Sequence, residues 1–165
     1  MFPFEDILAA LNQHGVRYVI VGGLAVILHG HVRVTADIDL VIDLEPAQAR
    51  AAIDALVGTG LRPLVPVDPT AFADKGTRES WVRDKNMQVF SLHDPMDPAR
   101  HADLFVRHPI PFEELWAASA TVRYGSTEVR VASLGHLKRM KRAAGRTQDL
   151  ADIEALEIIH GEDDD

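Results

Sequence analysis

Residues 18–43 read YVIVGGLAVILHGHVRVTADIDLVID, and this stretch decides the fold. The apolar quartet Tyr18, Val19, Ile20 and Val21 stops at Gly22-Gly23, the pattern of a buried strand ending in a tight turn. Leu24 to Leu28 are apolar and Gly30 follows, which predicts a two-turn helix with a glycine stop. A strand, a glycine turn and a helix start offer free backbone N–H groups and the positive end of a helix dipole, a combination suited to phosphate. Residues 38–42 predict a second strand, in which alternation sends Asp37 and Asp39 to one face and Ile38 and Leu40 to the other. Paired carboxylates can share hard cations: Mg²⁺ takes oxygen ligands, commonly one or two carboxylates plus substrate phosphates. Two-metal sites hold their ions roughly 3.5–4 Å apart, which suits this spacing.

Outward from that unit, Phe4, Ile7, Leu8 and Leu11 recur at helical spacing between Pro3 and Gly15. Pro46 opens another helix with Ala49, Ala52, Ile53, Leu56 and Val57 on one face and Gly58-Thr59-Gly60 at its end. Pro63, Pro66 and Pro69 break residues 61–85, where only short helical turns at 71–74 and 79–83 are expected; a variable insertion and a substrate-binding segment are both open there. Residues 87–92 and 101–106 read as strands joined by a connection at 93–98. Asp103 is the one acid in the second of these, and an ionised carboxylate in a buried strand is costly unless paired or metal-bound. Residues 111–120 predict a helix, and a hairpin follows with its turn at Tyr124-Gly125-Ser126-Thr127. Ser133 is placed to cap a helix with a core face of Leu134, Leu137, Met140 and Ala144, leaving Lys138 and Arg142 off that stripe and Lys141 at its edge. Thr147 is placed to cap a last helix with Leu150, Ile153, Leu156 and Ile159 inside.

The chain has 165 residues and a mass of 18.2 kDa, suited to one domain over 1–161 with a disordered acidic tail at 162–165. No apolar run reaches the ~20 residues of a membrane span. The N-terminus lacks a basic, signal-like segment, and cysteine is absent, so a cytoplasmic protein without disulfides is expected. A net charge of −8 argues against long duplex DNA as a partner. The run HLKRMKRAAGR at 136–146 carries Lys138, Arg139, Lys141, Arg142 and Arg146 and no acid, which suits a site for a few phosphates. Eight histidines are scattered without the helical spacing of a zinc site, so zinc is not expected.

Gly22-Gly23, 13 intervening residues and Asp37-Ile38-Asp39 in apolar strand context resemble the signature of the DNA polymerase β-like nucleotidyltransferase superfamily. Val21-Gly22-Gly23-Leu24-Ala25, the segment from Gly30 to Thr35, Leu137-Lys138-x-x-Lys141 and Arg146-x-x-Asp149-x-x-Asp152 resemble its small bacterial AbiEii-type group, which includes toxins of toxin–antitoxin pairs. The resemblance implies an α/β (α+β) fold, a mixed sheet flanked by helices with the C-terminal helices packed on the core. It implies Mg²⁺-dependent transfer of a nucleoside monophosphate from an NTP to an acceptor hydroxyl, with two Mg²⁺ ions. Gly22 and Gly23 would hold the triphosphate, Asp37 and Asp39 the ions, and Asp103 would complete the second ion's shell or act as base. Lys141, with Lys138 as the alternative, and Arg146 would neutralise phosphate charge. Asp149 and Asp152 share a helix face and are read equally as site residues or as partners of Arg146. The resemblance points to tRNA or another RNA end as acceptor and to an antitoxin-like partner. Other members of the superfamily modify aminoglycosides, lincosamides or proteins, and a non-catalytic nucleotide-binding subunit is a further reading.

Overall fold

The computed structural model describes residues 2–162. Helix α1 (Glu5–Gln13) leads to β1 (Tyr18–Val21), α2 (Gly22–Leu28), β2 (Ile38–Ile42) and α3 (Pro46–Gly58). Then come β3 (Arg62–Pro63), a 3₁₀ turn (Pro69–Ala73), α4 (Lys75–Lys85), the hairpin of β4 (Val89–Asp94) and β5 (Asp97–Phe105), and α5 (Phe112–Ala118). A second hairpin, β6 (Ala120–Tyr124) and β7 (Thr127–Val131), precedes α6 (Leu134–Ala144) and α7 (Thr147–His160). The strands form one mixed sheet in the order β3-β4-β5-β2-β1-β7-β6. Pairing is parallel between β2 and β5 and between β1 and β7, and antiparallel elsewhere. The α/β architecture expected from the sequence is the one observed.

Strand alternation divides the core into two layers. Tyr18, Ile20, Ile38, Leu40, Ile42, Phe90, Leu92, Ala102 and Leu104 face a large cluster with α1, α3, Phe72 and Trp81. Val19, Val21 and Val41 face the other way, under Ile110, Phe112 and Leu115 from α5 and its approach. Asp39 and Asp103 lie on this second face, so the packed layer on one side of the sheet fixes where the carboxylates stand on the other.

Several expectations are corrected here. The proline-rich stretch is largely ordered: Asp74 caps α4 by accepting from Thr77 N, and Asn86 ends it in the left-handed conformation. Its Phe72 and Trp81 rings stack on Phe90, so tertiary packing outweighs the punctuation of three prolines. The expected connection at 93–98 is a tight hairpin, with Asp94 paired to Asp97 and β5 starting four residues early. Arg146 rather than Thr147 occupies the N-cap of α7, and Asp149 accepts from Arg146 N. On α7, Ile153 and Leu156 are buried as expected, whereas Leu150 and Ile159 are 55% and 47% exposed. The cause is that Asp149 and Asp152 take the inward positions of its first turns, rotating the buried face away from Leu150. Glu162 is the sole residue of the acidic 162–165 tail among those described, so that expectation otherwise lies outside them.

Candidate active site: three carboxylates across a cleft from an ion network

β1 delivers the chain to Gly22, which opens α2 with φ +68°. A Cβ on Gly22 would lie 2.1 Å from Asp39 Oδ2, so both backbone conformation and packing demand glycine. Gly23 is constrained from the other side, where a Cβ would stand 2.6 Å from Thr35 Oγ1 and 2.9 Å from Arg33 Nη2. The glycine pair thus allows the start of α2 to lie against β2 and against the loop that precedes it. Thr35 Oγ1 fixes that loop by donating to the Asp37 carbonyl at 3.2 Å.

The parallel register of β2 on β5 sets Asp39 directly opposite Asp103. Asp37 lies one residue before β2 and on the same side as Asp39, because the intervening Ile38 is fully buried in the opposite layer. Burial pushes the Asp39 carboxyl up to about 7, with the charges of Asp37 and Asp103 adding to the rise and Lys141 and Arg146 opposing it. Asp37 is raised as well, by burial first and then by Asp103. Asp103 Oδ1 accepts from Ser91 Oγ at 2.5 Å and contacts His101 Nε2 at 2.9 Å. Asp37, His101 and Asp103 each offer a ligand atom within 4.8 Å of the others, all at half-buried positions.

Across the cleft stands a network of ions in which Lys141, Asp149 and Asp152 are buried. Lys141 Nζ lies 2.9 Å from Asp152 Oδ2 and 3.2 Å from Asp149 Oδ1. Arg33 reaches Asp152 through Nε at 3.1 Å and Nη2 at 3.1 Å, and Gln148 Nε2 donates to Asp152 Oδ1 at 2.8 Å. Arg146 Nε donates to Asp149 Oδ2 at 2.7 Å. Burial alone would raise Asp149 and Asp152. Hydrogen bonds from Arg146 and Lys141 outweigh it for Asp149, those from Lys141 and Gln148 outweigh it for Asp152, and both stay below the ordinary range. Arg146 is raised mainly by its bond to Asp149, with its guanidinium largely in solvent.

The cleft between the two groups measures about 340 Å³ and is lined by Gly22, Gly23, Arg33, Thr35, Asp37, Asp39, Asp103, Lys141, Arg146, Gln148 and Asp149. A wider surface groove at Phe2, Glu5, Gly125 and Ser126 contains one acid, Glu5, and Ser126 N already donates to it. The cleft therefore brings together Gly22, Gly23, Asp37, Asp39, Asp103, Lys141, Arg146 and Asp149 from the sequence-derived set. Asp152 stands behind Lys141, fully buried. Lys138 does not line the cleft: contrary to its expected outward position it is fully buried, with Nζ 3.4 Å from the Glu162 carbonyl and 3.8 Å from Glu157. Arg33, Thr35, Ser91 and His101 are the site residues that sequence reasoning passed over. For the first two the signal was their place in the Gly30–Thr35 segment just before Asp37. Ser91 and His101 are found only through strand register, and an i, i+2 His-x-Asp was the one trace of the latter.

No protein-family model matches the sequence, and a search of curated proteins finds no relative. Among solved structures, the chain is similar to the lincosamide antibiotic adenylyltransferase LnuA with lincomycin bound, at TM-score 0.61 and 18% identity over 93% of each chain. It is similar to the antibiotic-resistance factor ANT(2'')-Ia at TM-score 0.60 and 17% identity, over 94% of this chain and 81% of that one. It is also similar to an antigenic nucleotidyltransferase-like protein from Paracoccidioides brasiliensis, at TM-score 0.57 and 17% identity, over 93% of this chain and 74% of that one. The chain has the fold of these nucleotidyltransferases.

Proposed function

We propose that the protein is a divalent-metal-dependent nucleotidyltransferase that moves a nucleoside monophosphate from an NTP to a hydroxyl of a small-molecule acceptor, releasing pyrophosphate. The observation that carries this reading is the β2–β5 register, which sets Asp39 opposite Asp103 beside the glycine turn and across the cleft from Lys141 and Arg146. The donor set fits a hard divalent cation such as Mg²⁺: burial first, and then the repulsion of neighbouring carboxylates, raises Asp37 and Asp39, and a 2+ charge among them favours their ionised forms. Asp37 and Asp39 would hold a pair of such ions, with Asp103 completing the second ion's shell, and the ions would supply phosphate charge neutralisation and lower the pKa of the acceptor hydroxyl.

The chain's own groups divide the remaining work. Backbone N–H groups at Gly22 and Gly23 bind the triphosphate, and Arg33, Lys141 and Arg146 face its negative charge. The acceptor oxygen attacks the α-phosphorus as the bond to the β-phosphate oxygen breaks, and Asp103 accepts the hydroxyl proton. Lys141 and Arg146 stabilise the charge that builds on departing pyrophosphate.

A small acceptor is favoured over RNA by the state of the basic run at 136–146. Lys138 and Lys141 are buried, Lys141 is paired with Asp149 and Asp152, Arg142 lies 3.3 Å from Glu157, and Arg139 lies 3.5 Å from Glu114. A cationic surface able to displace counterions from a polynucleotide is therefore largely neutralised. Similarity to the two antibiotic-linked structures supports the same choice. The RNA acceptor and the antitoxin-like partner rest on the AbiEii resemblance alone.

The test is to incubate the protein with Mg²⁺ and each α-labelled NTP against lincosamides and aminoglycosides, total RNA, and extract protein. Label enters the small-molecule pool with the wild type, and falls at least a hundredfold in Asp37→Asn and Asp39→Asn variants whose circular dichroism is unchanged. Transfer to RNA alone would overturn the acceptor assignment, and undiminished transfer in either variant would overturn the site.

A further inference from the structure

We propose that His101 is a ligand of the acceptor-side ion, so that Asp37, His101 and Asp103 form a mixed carboxylate–imidazole site that favours Mn²⁺ or a neighbouring transition metal over Mg²⁺. The inference rests on the reading of the cleft as a metal-dependent transfer site and deepens it.

Three observations support it. First, Ile38 is paired with Ala102 in the parallel β2–β5 register, and Asp37 and His101 are the residues immediately preceding that pair. Both therefore project to the carboxylate face of the sheet. Second, the spacing matches a coordination shell. Bonds of about 2.1 Å at right angles put neighbouring ligand atoms about 3 Å apart. His101 Nε2 lies 2.9 Å from Asp103 Oδ1, and the ligand atoms of all three residues lie within 4.8 Å of one another. Ser91 Oγ donates to the same Asp103 oxygen, the kind of outer hydrogen bond that orients a ligating carboxylate. Third, this histidine differs from His29, His108 and His160, while His136, whose Nε2 lies 3.1 Å from Glu114, meets its carboxylate outside the cleft. His29, His108 and His160 turn Nε2 to the carbonyls of Ala132, Ile42 and His29, respectively, as structural histidines do. His101 instead turns Nε2 toward a cleft carboxylate, with its side chain 28% exposed.

Metal preference follows from ligand type. Mg²⁺ binds through oxygen and keeps its waters, whereas imidazole nitrogen raises affinity along the first-row series. One imidazole beside two carboxylates suits Mn²⁺ and later ions better than an all-oxygen shell does.

The experiment uses the full chain with Mn²⁺ and a non-hydrolysable NTP analogue, read by pulsed electron paramagnetic resonance and by Mg²⁺ competition. The wild type is expected to show ¹⁴N coupling from imidazole and to bind Mn²⁺ more tightly than Mg²⁺. His101→Gln, which keeps a hydrogen-bond donor for Asp103, is expected to lose the coupling and to bind Mn²⁺ about tenfold more weakly. Wild-type Mn²⁺ binding that depends on Asp37 but shows no ¹⁴N coupling would overturn the proposal and leave His101 as a group that aims Asp103. Absence of any bound Mn²⁺ in the wild type would overturn both the proposal and the transfer reading. The wild-type signal decides the matter even where the variant fails to fold.

Discussion

At the scale of single residues, Gly22 and Asp39 form one unit. A methyl group at Gly22 would occupy the space of Asp39 Oδ2, and the φ of +68° strains any L side chain. Gly15 has nearly the same φ, +67°, but nothing within 4 Å of its virtual Cβ. Gly15→Ala is therefore expected to cost about 1–2 kcal/mol, and Gly22→Ala clearly more, with loss of transfer because Asp39 is displaced; urea unfolding and the transfer assay measure both. Equal costs would show that the carboxylate contact has no weight. The pH behaviour of Asp39 has a definite sign. Its folded pKa of about 7 lies above the unfolded carboxylate value of about 3.9, so the folded state binds the proton more tightly. Its contribution to stability is complete below about pH 4 and is lost as pH rises through about 7. In ion-free protein, Asp39→Asn should raise the melting temperature at pH 8 and leave it nearly unchanged at pH 4. A difference independent of pH would contradict the raised pKa.

At the scale of elements, α6 and α7 show where the sequence was legible and where it was not. Their existence, the Ser133 cap and the burial of Leu134, Leu137, Ile153 and Leu156 follow from apolar spacing, and all are observed. Lys138, Lys141, Asp149 and Asp152 were not legible as interior groups, because periodicity ranks charged residues as solvent-facing and takes no account of a partner on the next helix. The buried pairing couples α6 to α7 beneath the cleft. Lys141→Met should destabilise the protein by about 3 kcal/mol, since it leaves Asp149 and Asp152 with fewer counterions. Adding Asp152→Asn should recover part of that loss, a coupling that a double-mutant cycle in denaturant measures. Additive effects would mean that the ions do not act as a network.

At the scale of the molecule, the first 43 residues carried most of what could be read. An apolar quartet, two glycines and Asp-x-Asp specify β1, α2 and β2 by local rules, and the structure pairs β1 with β2 antiparallel. Asp103 was legible as an anomaly, an acid within an apolar strand, but its place opposite Asp39 depends on parallel pairing across 64 positions, which no local pattern encodes. Ser91 and His101 were hidden for the same reason. The function of the run at 136–146 changed for a global reason as well: charges that look like a phosphate-binding surface in sequence are largely paired with acids in the fold. The central claim is that one cleft holds both the triphosphate and its ions, and calorimetric titration with a non-hydrolysable NTP analogue tests it most directly. Binding should require a divalent ion and weaken at least tenfold in Asp37→Asn. Equal binding with and without the ion, or none in either condition, would contradict the account.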